Sequence, residues 1–240
     1  MKVVVIIPAA GFGTRMASGR RTTEPAPAKQ FTELGGAPIL ILTLRKFIAS
    51  PRVSELFVAL RQNEIRGFRE RLGREAPHVP EKRIELVEGG EHRQHSVANA
   101  LAVVRAAPDD IVLVHDAVRP LVTEEIIASV IRGVEEFGAA IAGVPAVDTV
   151  KQVERTAEGA RVIATLPRER VVLAQTPQGF RYHVLKKAFD EAQADGFTGT
   201  DEASLIERSG HPVAVVMGSH RNIKITTPAD LELAEFYLRH

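Results

Sequence analysis

The sequence predicts a doubly wound α/β fold around a mostly parallel sheet, with a β-hairpin arm inserted late in the chain. Three observations carry that expectation. Short apolar, β-branched runs recur as far as Val144, segments of helical spacing lie between them, and the runs are apolar at consecutive rather than alternate positions. A strand that is apolar toward both sides needs cover on both, which is the condition of a parallel sheet between two helical layers. In such sheets ligands bind beyond the carboxyl ends of the strands.

The elements follow in order. Val3–Ile7 reads as a buried opening strand, since its apolar run ends at Pro8 and is shorter than the roughly 7–15 residues of a signal-peptide core. A helix is expected over Ile39–Ala49 with Pro38 at its first position, then a strand at Leu56–Leu60. Asn63 should cap a helix over Glu64–Leu72, followed by a strand at Ile84–Val87 and a helix over Ser96–Ala107. The strand Ile111–Val114 should lie beside the first. Thr123 caps a helix over Glu124–Phe137, with Glu124 and Glu125 at the positive end of its dipole, and a strand follows at Ala139–Val144.

The rhythm then changes. Pro145 to Thr176 reads as an inserted hairpin, with strands at Asp148–Glu154 and Arg161–Thr165 and a turn near Glu158-Gly159. Such a ribbon has little core of its own and is expected to pack on a second subunit. Helices at Val184–Asp195 and Glu202–Ser209, a strand at Val213–Met217 and a short one at Ile223–Ile225 come next. The last helix has Thr227 as cap, Pro228 at the first position and Asp230 in the capping-box slot. With no repeat and no linker, residues 1–240 read as a single domain carrying 145–176 as its arm.

Composition narrows the function. Thirty-one basic and 30 acidic residues leave a net charge of +1, too little for a global field toward nucleic acid or acidic lipid, so neither is expected as a partner. Without cysteine there is no disulfide, thiol nucleophile or Cys-ligated metal. No apolar run reaches the roughly 20 residues that span a bilayer, and a cytoplasmic location is expected. His92 and His95 have metal-ligand spacing but no third ligand nearby, so a structural metal there is not expected.

The chemistry concentrates in two places. Directly after the first strand, Ala9-Ala10-Gly11-Phe12-Gly13-Thr14-Arg15-Met16 allows a sharp turn with N–H groups close to phosphates. A dinucleotide fingerprint would need glycine where Met16 stands and an acid near Arg61-Gln62, and no Gly-Lys-Ser/Thr of a P-loop exists. Arg15, Arg20, Arg21 and Lys29 make the segment basic and suit a triphosphate clamp. Asp116, at the carboxyl end of the strand beside the first, can hold a divalent cation or a ribose hydroxyl, with Arg119 to pair with it or orient it. His115 reads as a satisfied buried histidine rather than a base.

These motifs resemble the 2-C-methyl-D-erythritol 4-phosphate cytidylyltransferase family. So do Gly89-Gly90-Glu91-His92-Arg93-Gln94-His95-Ser96-Val97, Val114-His115-Asp116-Ala117-Val118-Arg119-Pro120, Val144-Pro145-Ala146-Val147-Asp148-Thr149-Val150-Lys151, Gln175-Thr176-Pro177-Gln178, Thr200-Asp201-Glu202-Ala203-Ser204 and Asn222-Ile223-Lys224-Ile225-Thr226. The resemblance runs from the first strand to the last helix.

It implies a Rossmann-like nucleotidyltransferase that moves CMP from CTP to methylerythritol phosphate with release of pyrophosphate, in non-mevalonate isoprenoid biosynthesis. It further implies Mg²⁺ and a homodimer joined through the arm. By resemblance, Arg15 and Lys29 stabilise the α-phosphate under attack. Ala10, Gly11, Gly13, Gly90, Glu91, Ser96, Asp116 and Arg119 bind the nucleotide, Asp116 also holding the metal. Arg168, Lys224, Thr149 and Thr200 position the acceptor, with Thr149 and Arg168 serving the partner's site. The chain departs from the family's pattern in a longer Met16–Lys29 stretch, in Ala28 where proline is common, in Arg221 where an acid is frequent, and in Val118 for alanine. Two alternatives stand beside this reading: transfer to ribitol phosphate, and a non-catalytic nucleotide-binding module.

Overall fold

The computed structural model describes residues 1–11, 28–76, 82–157 and 159–240. Arg15 and Gly13, with Arg20, Arg21 and the turn residue Glu158, lie outside the described residues. In chain order the elements begin with β1 (Val3–Pro8), a short pair β2 (Glu33–Leu34) and β3 (Ala37–Pro38), α1 (Ile39–Ala49), β4 (Glu55–Leu60), α2 (Gln62–Glu75) and β5 (Arg83–Glu88). Then come α3 (Arg93–Val103), β6 (Ile111–Val114), α4 (Glu124–Phe137), β7 (Ala139–Pro145), β8 (Val150–Thr156) and β9 (Gly159–Leu166). The chain closes with β10 (Val172–Arg181), α5 (Tyr182–Ala194), α6 (Glu202–Arg208), β11 (Ala214–Met217) and α7 (Pro228–Arg239).

Seven strands form one sheet in the order β11-β7-β10-β6-β1-β4-β5, parallel except for β10, which runs antiparallel to both β6 and β7. The expected doubly wound, mostly parallel sheet is therefore present. Alternate residues of β1 face opposite layers. Val3, Val5 and Ile7 pack with α1, α2 and α4, while Val4 and Ile6 pack with α3, α5 and α6. The chain leaves β1 toward β4 and β5 and returns on its other side as β6, so the strand order reverses between β1 and β6. A crevice forms beyond their carboxyl ends.

Local signals placed most boundaries. Thr123 caps α4 by accepting the Ile126 N–H, and Gly138, at φ +83°, ends that helix in the left-handed turn that glycine adopts without strain. Thr227, Pro228 and Asp230 open α7 as expected.

Other expectations are corrected. Pro38 is the cap of α1 and pairs with Glu33 in the β2–β3 ladder, so it is not the first helical residue. Arg61, not Asn63, caps α2, because Glu64 reaches back to the Arg61 N–H. Helix α3 starts at Arg93, three residues before Ser96. Ile223–Ile225 forms no strand, and the Ile225 N–H reaches across to the Val118 carbonyl at 2.9 Å.

The largest miss is β10. The arm was expected to run to Thr176, but Val172–Ala174 already pairs with β7 and Gln178–Arg181 with β6. The isolated ribbon is only β8 with β9, closed at its base by Ala146 N–H on the Val171 carbonyl at 3.0 Å. Nearly every residue of β8 and β9 is exposed.

Candidate active site

The crevice beyond β1 and β6 holds a cleft of about 270 Å³ lined by Ala10, Gly11, Lys29, Gly90, Glu91, Arg93, Ser96, Asp116 and Lys224, among others. A larger cavity of about 420 Å³ lies between α3 and α5, walled by Ala98, Leu101 and Phe189. Its one lysine, Lys186, is already held by Asp190, so it lacks the convergent cations of the smaller cleft.

One wall is the segment leaving β1. Gln30, buried in the short turn Lys29–Phe31, donates from Nε2 to the Ala9 carbonyl at 2.7 Å and ties the Lys29 turn to that segment. The next wall is the β5–α3 loop. A Cβ at Gly89 would come within 2.4 Å of the Ala10 Cβ, so glycine there lets the two loops press together. The Ser96 hydroxyl accepts the Gly90 N–H at 3.1 Å and donates to the His92 carbonyl at 3.2 Å, which braces the loop from the first turn of α3. Position Gly11 has open space where a Cβ would stand.

The floor is a charge cluster on Asp116, a carboxylate only 6% exposed. Arg93 Nε lies 3.3 Å from Oδ1, while Arg119 Nε and Lys224 Nζ lie 3.2 and 3.0 Å from Oδ2. Burial alone would raise the Asp116 pKa, but Arg93, Lys224 and Arg119 together hold it far below the usual carboxylate range. It is therefore charged at any working pH. Arg93 also reaches Glu202, with Nη1 at 2.6 and 2.9 Å from the two carboxylate oxygens. Glu202 is 1% exposed, and burial raises its pKa despite Arg93.

Backbone turns hold this floor in place. The Asp116 N–H donates to Thr176 Oγ1 at 3.0 Å, and that hydroxyl lies 3.1 Å from His115 Nδ1. His115 Nε2 in turn lies 3.1 Å from the Arg119 carbonyl. The Arg119 carbonyl can only accept, so Nε2 carries the ring proton and donates to it, and Nδ1 of the neutral ring accepts the Thr176 hydroxyl proton. His115 is a buried, hydrogen-bonded, neutral histidine whose pKa burial pushes down to about 4. Arg119 Nη1 donates to the Asn222 carbonyl at 2.7 Å, and Asn222 Nδ2 to the Thr176 carbonyl at 2.9 Å, which locks the Lys224 segment beside the Asp116 turn.

The structure thus brings Ala10, Gly11, Lys29, Gly90, Glu91, Ser96, Asp116 and Lys224 to one cleft. Arg119 stands behind Asp116 and supports it. Thr200 is exposed just before the Asp201 cap of α6 and does not line the cleft. Thr149 and Arg168 sit exposed at the base of the arm, where Arg168 Nη1 donates to the Val147 carbonyl at 3.0 Å, also off the cleft. Arg221 turns away and lies over the Tyr237 ring at 5.3 Å. Arg93, Glu202 and Thr176 stand within the motifs, and the sequence alone assigns them no role. The signal that could have found the pair is the buried-type motif position of Glu202, an acid following the helix cap Asp201.

Among the described residues no group of three histidine or acidic side chains gathers to hold a metal. Asp116 and Glu91 are the carboxylates of the cleft. That sparse oxygen set fits Mg²⁺ arriving with a triphosphate, which takes its remaining ligands from phosphate and water. Among the described residues no helix is long and apolar enough to cross a membrane.

Comparison with known proteins agrees with the geometry. The family model for 2-C-methyl-D-erythritol 4-phosphate cytidylyltransferase matches residues 3–240. Proteins of that name from Acidobacterium capsulatum and Solibacter usitatus are 58% and 53% identical, each aligned over 100% of this chain and over 98% and 96% of their own lengths. The crystal structure of the Francisella tularensis 2-C-methyl-D-erythritol 4-phosphate cytidylyltransferase superposes with a TM-score of 0.79 at 38% identity, covering 98% of this chain and 99% of that one. With its whole length matched and its cleft assembled from the motifs themselves, the chain belongs to the 2-C-methyl-D-erythritol 4-phosphate cytidylyltransferase family.

Proposed function

We propose that this chain transfers CMP from CTP to 2-C-methyl-D-erythritol 4-phosphate and releases pyrophosphate, a step of isoprenoid biosynthesis, and that it works as a cytoplasmic homodimer. The observation that carries the reading is Lys29 and Lys224 lining one cleft with the buried Asp116, in a chain matched to the family from end to end.

The acceptor's phosphate oxygen attacks the α-phosphorus of CTP. The new P–O bond forms as the bond from the α-phosphorus to the α,β-bridging oxygen breaks, and pyrophosphate carries away the electron pair. A phosphate oxygen needs no general base, so the protein's work is to bring two anions together and neutralise the charge that builds up. Lys29 and Arg15 serve the α-phosphate. Lys224 and the partner's copy of Arg168 hold the acceptor's phosphate, with contacts from Thr200 and the partner's copy of Thr149. Gly11, Gly13 and Ala10 approach the phosphates through backbone, and Gly90, Glu91 and Ser96 form the cytidine side. Asp116 would hold Mg²⁺, which would supply charge neutralisation when bound. The arm supports the dimer reading: Val153 and Val162 face each other across the ribbon, both exposed, and Leu173 stands exposed beyond its base. An isolated two-stranded ribbon with apolar side chains in water is marginal, whereas one laid on a second subunit is not.

Pyrophosphate release from CTP and Mg²⁺ tests the reading. Release with methylerythritol phosphate supports it. Release with ribitol phosphate alone reassigns the acceptor, and none with either leaves a nucleotide-binding module.

A further inference from the structure

We propose that Glu202 is a positioning residue for the reaction, acting through Arg93 on Asp116; this rests on the cytidylyltransferase reading of the cleft. The geometry is specific. Glu202 is the first residue of α6, and the start of that helix is fixed three times over. Asp201 caps it by accepting the Ser204 N–H at 3.0 Å, and the buried Gln178 of β10 donates to Asp201 Oδ2 at 2.7 Å and accepts the Ala203 N–H at 3.1 Å. On this fixed base Glu202 takes hold of Arg93 Nη1 with both oxygens, leaving Nε as the group that meets Asp116.

An arginine offers a planar fork that otherwise closes on a carboxylate with two parallel hydrogen bonds. Released from Glu202, Arg93 would turn that fork fully onto Asp116 and compete with Lys224 and Arg119 for its oxygens. The carboxylate would then be masked from whatever substrate or cation approaches across the cleft. Three cations on one buried carboxylate also leave excess positive charge, and Glu202 supplies the second negative charge that balances part of it. A shift of about 1 Å in such a group can cost on the order of 10²-fold in rate.

The pair also joins two walls. Gln178 and Thr176 lie two residues apart on β10, where its register with β7 shifts. Thr176 holds the Asp116 backbone and Gln178 the start of α6, which carries the Thr200-Asp201 segment. Glu202 and Arg93 complete the loop from the side-chain direction.

Two measurements test the role. In a crystal structure of Glu202→Gln, Arg93 should turn to place two nitrogens on Asp116; Arg93 unmoved overturns the proposal, whatever the enzyme's substrates prove to be. In steady-state kinetics Glu202→Gln should lower kcat by about 10- to 100-fold with KM for CTP within about threefold, as for a displaced catalytic group. Glu202→Asp should recover part of the loss. The same substitution in an Arg93→Met background should have no further effect. A kcat within twofold of the parent, or an equal further loss without Arg93, overturns it. Should Glu202→Gln not fold, Arg93→Met/Glu202→Met removes both charges together and should match Arg93→Met in kcat; a further loss in the double variant overturns the proposal. Failure of the parent enzyme to turn over CTP would strike the functional reading, while the position of Arg93 in the variant would still decide this one.

Discussion

The cleft and the arm are built on opposite terms. Around Asp116 the carboxylates are buried and the charges paired, each oxygen of Asp116 facing a cation. Along β8 and β9 the apolar side chains stand in water, with Val162 and Ile163 each 55% exposed. The first region is incomplete in charge, since three cations meet two carboxylates, and it awaits an anion. The second is incomplete in apolar cover, and it awaits a surface. One sheet carries both, and β10 links them: it leaves the arm at Val172 and reaches the cleft at Thr176. The difference teaches that the chain folds its floor alone, while substrate would satisfy one region and, in the proposed dimer, a second copy would satisfy the other.

The sharpest break concerns the cleft. Lys29→Ala should lower kcat by roughly 10²–10³ while KM for CTP changes little, as for loss of one donor to the transition state. A rise in KM alone, measured over a range of CTP concentrations, would make Lys29 a ground-state binder and remove it from the catalytic pair.

Next in size is a stability effect under the cleft. Burial lowers the His115 pKa from 6.5 to about 4, so the unfolded chain takes up its proton first as pH falls. That histidine's contribution is fully present above pH 6.5 and is lost as pH falls toward 4, which amounts to about 3 kcal/mol. Urea unfolding across that window should show a steeper loss for the parent than for His115→Gln. Parallel pH slopes would mean that His115 is protonated in the folded protein, and the tautomer assignment through Thr176 would fail with it.

These groups show what a sequence discloses and what it does not. Strands β1, β4, β5, β6 and β7 were legible because a consecutive apolar run is a local property. So were the caps at Thr123 and Thr227. Strand β10 was not, because Gln175-Thr176-Pro177-Gln178 interrupts its apolar run with polar side chains whose partners, Asp116, Asp201 and Asn222, are distant in the chain. The same reason hid the floor of the cleft. Asp116, Lys224 and Ser96 could be singled out by residue type and place in a motif, whereas the Arg93–Glu202 pair spans 109 positions and exists only once the sheet has closed. The hairpin was legible as a change of rhythm. Its length was not, since half-polar strand residues look alike whether they belong to a free ribbon or to the end of a sheet.

A smaller effect probes the arm's role in the site. Arg168 is exposed and off its own chain's cleft. Arg168→Ala should raise KM for the acceptor by about tenfold, the worth of one hydrogen bond from a charged group, with kcat little changed. Mixed with Lys29→Ala subunits, it should regain activity, because a hybrid dimer holds one cleft with Lys29 served by an arm with Arg168. Activity of the mixture no better than either variant alone would confine each site to one chain.

The smallest effect divides the two regions most cleanly. Val162 lies on an exposed ribbon and contributes no cover to the two helical layers. Within a single chain, Val162→Lys should therefore change stability by no more than about 0.5 kcal/mol, as for an ordinary surface substitution. Between chains the same change places a charge where apolar surface should meet its partner, so sedimentation should show the variant dissociating at concentrations where the parent stays paired. Loss of pairing with an unchanged monomer would show that the arm's apolar residues serve association and nothing in the fold. A variant that stays paired moves the interface elsewhere, to the exposed Val215 and Met217 of edge strand β11, and leaves the ribbon without a reason for its valines.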